Sequence, residues 1–546
     1  MRQPTNEHAG LAREQPRWSR HPTAASQRPT KGIPLNLATY LDRVARAMPD
    51  RVALQLGDIQ LTYRQLADQS ARFAGFLQDR ELHPGDRVAV WMPNRLEYLP
   101  AVFGTWRAGG VAVPLNYLFS ATPLRHAVLD SGARWVLAQD SDVGRLRELI
   151  AAAEPAPQLI GMASSTDTDD NFETITLSAE PMEDVAPRLD GDDALLMYTS
   201  GSTGTPKGVR QTHRNTGAQV DAVIDAWHIG PDDHVLNSMP LFHVGGLQLC
   251  SLPLLFTGGQ ITFMGGWDPD EWLGLVTRLR PSLAGLISTM LIDVGNRTHH
   301  SPVRLDSLRI CMFGGSRTPA APVQRFVAST GVRPIEIYGQ TEQNGLAITY
   351  RPGETWRDGS MGRPLTQLVS TQLVPPQGGD PLPTGSGDVG ELWVRGDAVS
   401  PGYWHLPDLD AERFTDGWFR TGDLVHSDND GYLYYVDRID DMIVSGGENI
   451  YPQMVEAHLA SCPLVAEVAV IGTPHERWIQ QVTAVIVPAK PGVTPQDIAE
   501  FCNTHPDLQG LHRPRRIELV DALPRTGSGK LDRPSVRRMF SDPSAH

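Results

Sequence analysis

Between Thr62 and Val113 the sequence twice passes through a helix-period segment, a turn and a short unbroken apolar run. In the first round Thr62-Tyr63-Arg64-Gln65 fits a capping box, the threonine hydroxyl accepting from a first-turn N–H while the glutamine reaches back. Leu66, Ala67, Phe73, Ala74 and Leu77 then recur at helical spacing, and His83-Pro84-Gly85-Asp86 turns the chain into the apolar run Val88 to Met92. The second round predicts a helix from Leu96 to Ala108, a stop at Gly109-Gly110 and a strand at Val111-Ala112-Val113. Strands this uniformly apolar need cover on both faces, so the alternation argues an α/β fold with a largely parallel sheet between helices.

Composition narrows the class. The 546 residues hold 51 glycines and 44 prolines, many turns between short elements, with 40% hydrophobic and 20% charged residues in the ordinary globular range. That length accommodates three or four domain-sized units, or one large domain and a small one. A net charge of −15 opposes non-specific binding to nucleic acid or an anionic membrane, which rests on Lys and Arg neutralising phosphates. Cys250, Cys311, Cys462 and Cys502 are far apart, with no C-x-x-C pair, which favours a reduced, cytoplasmic compartment. No apolar run reaches about 18 residues, so no membrane span is expected. Residues 1–35 carry six Lys/Arg against two Glu and no apolar core, so they read as a disordered tail rather than a secretory signal. An Arg-rich transit peptide would share that bias.

Two apparent motifs exclude themselves. Gly385, Gly387 and Gly390 satisfy G-x-G-x-x-G, but the order there is loop then strand, whereas a dinucleotide site needs strand then helix. No G-x-x-x-x-G-K-[ST] occurs, which disfavours a P-loop motor or kinase. After Tyr435 the pattern shortens to α+β, with strands near Val468 to Ile471 and Thr483 to Val487 and a final Arg-rich helix. A small C-terminal domain from Asp440 is the simplest division, entered through a charged junction, Asp437 to Asp441, expected to be exposed.

The stretch that carries chemistry is Tyr198-Thr-Ser-Gly-Ser-Thr-Gly-Thr-Pro-Lys-Gly208, after the apolar Ala194 to Met197. Its glycines let backbone N–H groups turn inward, its hydroxyls donate and Lys207 adds charge, as a polyphosphate requires; a flexible Ser/Gly linker has the same composition. The stretch resembles the phosphate loop of the adenylate-forming superfamily that includes the acyl-CoA synthetases. Further motifs follow in a similar order over residues 36 to 540: Pro240-Leu-Phe-His243-Val-Gly-Gly246, Tyr338-Gly-Gln-Thr-Glu342, Gly359 to Pro364, Phe419-Arg-Thr-Gly-Asp423, Asp437-Arg438-Ile-Asp440, Ser445 to Pro452 and Leu523-Pro-Arg-Thr-Gly-Ser-Gly-Lys530.

The resemblance implies a large adenylation domain of layered sheets and helices, residues 36–439, and a small mobile α+β lid, residues 440–546. It implies that ATP and Mg²⁺ convert a carboxylic acid into an acyl-AMP, and that CoA then takes the acyl group. Thr199, Ser200, Gly201, Ser202, Thr203, Gly204, Thr205 and Lys207 would wrap the phosphates. Glu342 would hold Mg²⁺ while Thr199 and Thr341 donate hydroxyl bonds. Gly315 and Ser316 would approach adenine with Tyr338 on its face, flanked in motif by Gly339 and Gln340. Asp423 would accept both ribose hydroxyls, assisted by Arg438. Lys530, brought by the small domain, would meet the charge developing at the transferring phosphoryl group; His243 completes the catalytic set with Glu342 and Thr199. Rotation about Asp440 would then replace Lys530 by the segment with Gly446 and Gly447, which would line a pantetheine tunnel.

Read alone, Glu342 is a solvated loop charge, Tyr338 a core aromatic, Gly446-Gly447 a hairpin turn and Lys530 part of a basic tail. Two departures, Trp478-Ile479-Gln480 where the family often has W-G-E and Leu531-Asp-Arg-Pro534 after the lysine, fall where CoA contacts are expected. His243 and its apolar neighbours stand where amino-acid-activating relatives need a carboxylate, so a non-amino acid, apolar or aryl, is indicated. The chain ends Asp542 to His546 rather than S-K-L, so a peroxisomal address is not expected. The expected partners are the acid and CoA, with no nucleic acid, and a homodimer is compatible. Transfer to an amine or a carrier thiol, activation of a small oxyacid, and a nucleotide-binding protein without catalysis are the alternatives.

Overall fold

A computed structural model describes residues 35–163, 168–199, 205–315, 318, 320–445, 448–475, 477–525 and 531–540. The expected tail lies outside these except for Leu35, whose N–H donates to Arg188 O.

The two αβ rounds form as the local signals require. Thr62 caps the helix Tyr63–Asp79 with both halves of the box made, Gln65 N–H to the Thr62 hydroxyl at 3.3 Å and Thr62 N–H to Gln65 Oε1 at 2.8 Å. The strand Arg87–Trp91, the wholly buried helix Tyr98–Arg107 and the strand Val111–Pro114 follow. The two helices pack closely: a Cβ on Gly104 would lie 2.7 Å from Ser70 O. The buried Arg107 is neutralised by Asp42 and donates to Met182 O and Glu183 O.

Two sheets stand where the alternation suggested one. The first has seven strands, parallel except for the hairpin of Asp193–Thr199 with Lys207–Thr212. The second has nine, its parallel centre running Val52–Leu56, Gln260–Phe263, His234–Asn237, Leu283–Ile287, Ile310–Gly314, Ile335–Tyr338. Side-chain alternation divides the strands between cores. Val88, Val90, Val235, Ile310 and Met312 enter a central core with Leu66, Phe73, Phe103, Trp106 and Trp227 from the helices. Ala89 and Trp91 face one outer core, and Leu236, Ala284 and Phe313 another. The result is a layered fold with helices inside and outside both sheets.

A third, antiparallel sheet joins Val369–Val374, Gly390–Gly396, Trp418–Ser427 and Leu433–Arg438, and its Leu392, Val394 and Val425 reach the central core. The rejected glycine triplet accordingly ends at the start of a strand. The smaller domain has its own sheet, the long hairpin Val465–His475 with Ile479–Pro488, flanked by Ile443–Ser445 and Arg516–Leu519. One face packs on the helices Pro452–Leu459 and Pro495–Thr504, the other on Arg533–Phe540, and neither core contains a residue before Ile443.

The junction corrects the expectation of an exposed charged linker. Asp437 is fully buried and receives the Gln453 N–H at 2.8 Å. Arg533 grips Glu456 with two 2.7 Å bonds, and Arg537 binds Asp441 at 2.7 Å and the Asp440 carbonyl at 3.0 Å. The arginines of the final helix are tied down, and Asp440 itself is the exposed member of the junction.

Candidate active site

The strands Ile310–Gly314 and Ile335–Tyr338 run parallel and adjacent, Gly314 opposite Ile337, so Gly315 and Tyr338-Gly339-Gln340 emerge at neighbouring carboxyl ends. In open parallel sheets that edge is where ligands bind. Gly315 has φ +89°, a backbone state that a side chain would strain. Gly339 lies against Gly345, where a Cβ would come 2.5 Å from the carbonyl.

Three motifs converge on one carboxylate. Asp423, in the strand Trp418–Ser427, is almost fully buried; its Oδ2 accepts from the Tyr338 hydroxyl at 2.6 Å and Gln340 Nε2 at 2.5 Å, and its Oδ1 from Arg438 Nη1 at 2.9 Å. Arg438 is the cross-strand partner of Asp423, which explains the contact without any loop rearrangement. Burial, reinforced by the Asp423 charge, pushes the Tyr338 hydroxyl well above its ordinary range, so it stays a donor. A carboxylate offers about four lone-pair directions, and protein donors already use three.

Glu342 follows in the short turn Thr341–Gln343. Its Oε1 accepts from the Tyr403 hydroxyl at 2.7 Å, and its carbonyl from Ser400 N–H at 2.8 Å. Beneath the turn lies a buried amide network: Gln211 Nε2 donates to Thr341 O, Gln248 Nε2 to Gln211 Oε1 and Asn344 Oδ1, and Asn344 Nδ2 to Ala398 O. These residues and Tyr403 escaped the sequence reading, since isolated amides in apolar segments give no local signal. The network fixes the turn from below, so Glu342 is held at its backbone and at one oxygen.

The His243 segment packs beside the loop that follows Glu342. The segment leads into a π-helical turn, Gly245–Leu249, and Gly245 N–H donates to His243 Nδ1 at 3.3 Å. A Cβ on Gly345 would lie 2.9 Å from Val244 Cβ, so the loop after Glu342 packs directly on the His243 segment. A π-turn beside a site is a recurrent functional distortion.

Thr199 and Lys207 end the hairpin strands as a register pair, with Thr205 exposed beside them. Ser200, Gly201, Ser202, Thr203, Gly204, Ser316, Gly446, Gly447 and Lys530 lie outside the described residues. Arg525 and Leu531 bridge in antiparallel fashion on either side of the Lys530 segment. The structure thus brings Tyr338, Gln340, Asp423 and Arg438 into direct contact and stacks the His243 segment on the loop after Glu342. Arg438 Nη2 reaches Asp440 at 4.0 Å.

Known proteins share the family and the fold of this chain. Residues 41–404 match the family model of the AMP-binding enzyme, and residues 454–530 that of the AMP-binding enzyme C-terminal domain. The chain is 37% identical over 506 residues to a feruloyl-CoA synthase of Amycolatopsis sp, covering 92% of this chain and 99% of that protein. It is 30% identical over 486 residues to a long-chain-fatty-acid–CoA ligase of Mycobacterium tuberculosis, covering 89% and 94%. The ATP-bound structure of MatB from Rhodopseudomonas palustris superposes with a TM-score of 0.84 at 28% identity, covering 92% of this chain and 99% of that one. Among the described residues no helix is long and apolar enough to cross a membrane. The chain belongs to the AMP-binding enzyme family, as a member of acyl-CoA ligase type.

Proposed function

We propose that this enzyme joins an apolar or aryl carboxylic acid to CoA through an acyl adenylate, releasing AMP and pyrophosphate. The observation that carries the reading is the convergence of Tyr338, Gln340 and Arg438 on the buried Asp423, at the carboxyl edge of the second sheet. Asp423 has lone-pair capacity left for one ribose hydroxyl, and Arg438 supplies a second polar group beside it. Adenine would lie against Tyr338 and the Gly315 backbone, while the hydroxyl-rich loop from Thr199 to Lys207 would receive the phosphates.

Glu342 suits a hard divalent cation: Tyr403 occupies Oε1, which leaves Oε2 as an oxygen donor of fixed direction. Bound Mg²⁺ would neutralise charge on the phosphate oxygens. Lys530 is assigned the first half-reaction, as a compact charge delivered from the small domain. The division at Asp440 and the rotation of residues 440–546 about it belong to the same reading, with Gly446 and Gly447 serving the second half-reaction. The relatives' names support CoA as acceptor and both aryl and fatty acids as candidates.

The test is a mass-spectrometric screen of purified protein with ATP, Mg²⁺ and a panel of short, long and aryl acids, each with and without CoA. The expected result is AMP with a new acyl-CoA, formed only when CoA is present. AMP without thioester would overturn CoA as the acceptor and direct the search to an amine or carrier thiol.

A further inference from the structure

We propose that His458, His505 and Asp507 form a transition-metal site on the smaller domain, one that takes Zn²⁺-class ions rather than Mg²⁺. The three side chains each offer a ligand atom, and these atoms lie within 4.8 Å of one another. His458 Nδ1 is 3.9 Å from Asp507 Oδ2, and the two imidazole rings are centred 5.0 Å apart. Nothing in the sequence advertises the group, because His458 and His505 come from different helices.

Three physical features favour a cation. First, His458 occupies the last turn of the helix Pro452–Leu459 and His505 is the residue that ends the helix Pro495–Thr504. Both helices therefore present their negative ends to the cluster. Second, the backbone is fixed beneath it. The Ser461 hydroxyl donates to His458 O at 2.7 Å, Gln509 Nε2 donates to His505 O at 2.7 Å, and Leu459, Ile498, Cys502 and Leu508 pack in the core behind. Third, the donor set is two imidazoles and one carboxylate, which suits zinc, cobalt, nickel or copper and is poor for magnesium.

Ligand atoms around such an ion stand about 3.3 to 3.5 Å apart. Reaching that spacing requires side-chain rotations of about an ångström, which the exposed Asp507 and half-buried His458 can make. A competing bond, from the Asp507 N–H to His505 Nδ1, is long at 3.3 Å and weak enough to exchange. Water completes the coordination, since the site opens to solvent. Its effect would be to pin the two helices of the smaller domain to one another.

The experiment is calorimetric titration of the full chain, stripped with chelator, using ZnCl₂, with CoCl₂ added for its ligand-field absorption and MgCl₂ as comparison. One saturable Zn²⁺ equivalent is expected, weakened by at least about tenfold in H458A/H505A and in D507N, the variant least able to disturb folding. Circular dichroism verifies that each variant is folded. No saturable Zn²⁺ binding, affinity changed by less than that factor in the folded variants, or equal binding of Mg²⁺ would each overturn the proposal.

Discussion

Tyr338 donates its hydroxyl to Asp423 Oδ2 at 2.6 Å, tying the end of a parallel strand to the antiparallel sheet across 85 positions of sequence. Tyr338→Phe removes one donor of three and is expected to raise the KM for ATP by roughly five- to tenfold at a cost of about 1 kcal/mol in stability. Asp423→Asn replaces the charge that Arg438 faces, and its expected cost is larger, about 2 to 3 kcal/mol. Denaturant unfolding and the ATP dependence of pyrophosphate release measure the two effects separately; equal behaviour of both variants would sink the assignment of Asp423 as the centre of the cluster.

Lys530→Ala is expected to slow acyl-adenylate formation by about 10² to 10³, the usual yield of one electrostatic contact in a transition state. Thioester formation from supplied acyl adenylate and CoA should stay within about threefold of the parent if, as proposed, the lysine serves the first half-reaction alone. A parallel loss in both halves would mean that the substitution damages the small domain as a whole.

His213 gives the stability a pH dependence of known sign. Its ring is fully buried, packs edge-on to Trp106 and accepts the Leu37 N–H on Nδ1; burial, helped by the nearby Arg188, lowers its pKa to about 3. In the unfolded chain it titrates near 6.5, so below that pH the unfolded state binds the extra proton and stability falls. Going from pH 7 to pH 5 should remove about 2 kcal/mol through this group. Asp437 acts oppositely: burial raises it to about 6, so its folded-state cost is relieved as the pH falls from 6 toward 4. Urea midpoints of His213→Gln against pH should therefore show a flatter acid limb than the parent; an unchanged slope would exclude His213 as its source.

The local parts of this fold were legible because their causes are local. Thr62 and Gln65 cap one helix from within four residues, and the apolar runs at Val88 and Val111 announce strands that need cover. The candidate site was legible differently: the motifs pointed to Glu342, Asp423 and Arg438 by resemblance, but not to Tyr338 and Gln340 spending their donors on Asp423. Gln211, Gln248 and Asn344 stayed hidden because they come from distant segments and meet only through the Gln248 amide, which donates to both of the others. The junction misled for the same reason, since Asp441 draws its partner Arg537 from 96 positions away.

Ile479 supplies a prediction from a departure noted in the sequence. It is 73% exposed yet sits at φ +69°, a conformation that a β-branched residue adopts only under strain. Ile479→Gly, despite a more flexible unfolded chain, is expected to gain about 1 kcal/mol. A calorimetric midpoint that falls instead would mean that the isoleucine side chain makes a compensating contact.

The clamp formed by Arg537 on Asp440 and Asp441 has a mechanical consequence. The helix Arg533–Phe540 is bolted through Arg537, at its middle, to the carbonyl of Asp440 and the carboxylate of Asp441. Under the proposed rotation about Asp440, the final helix and the hinge residues would therefore travel as one rigid piece, with no refolding in between.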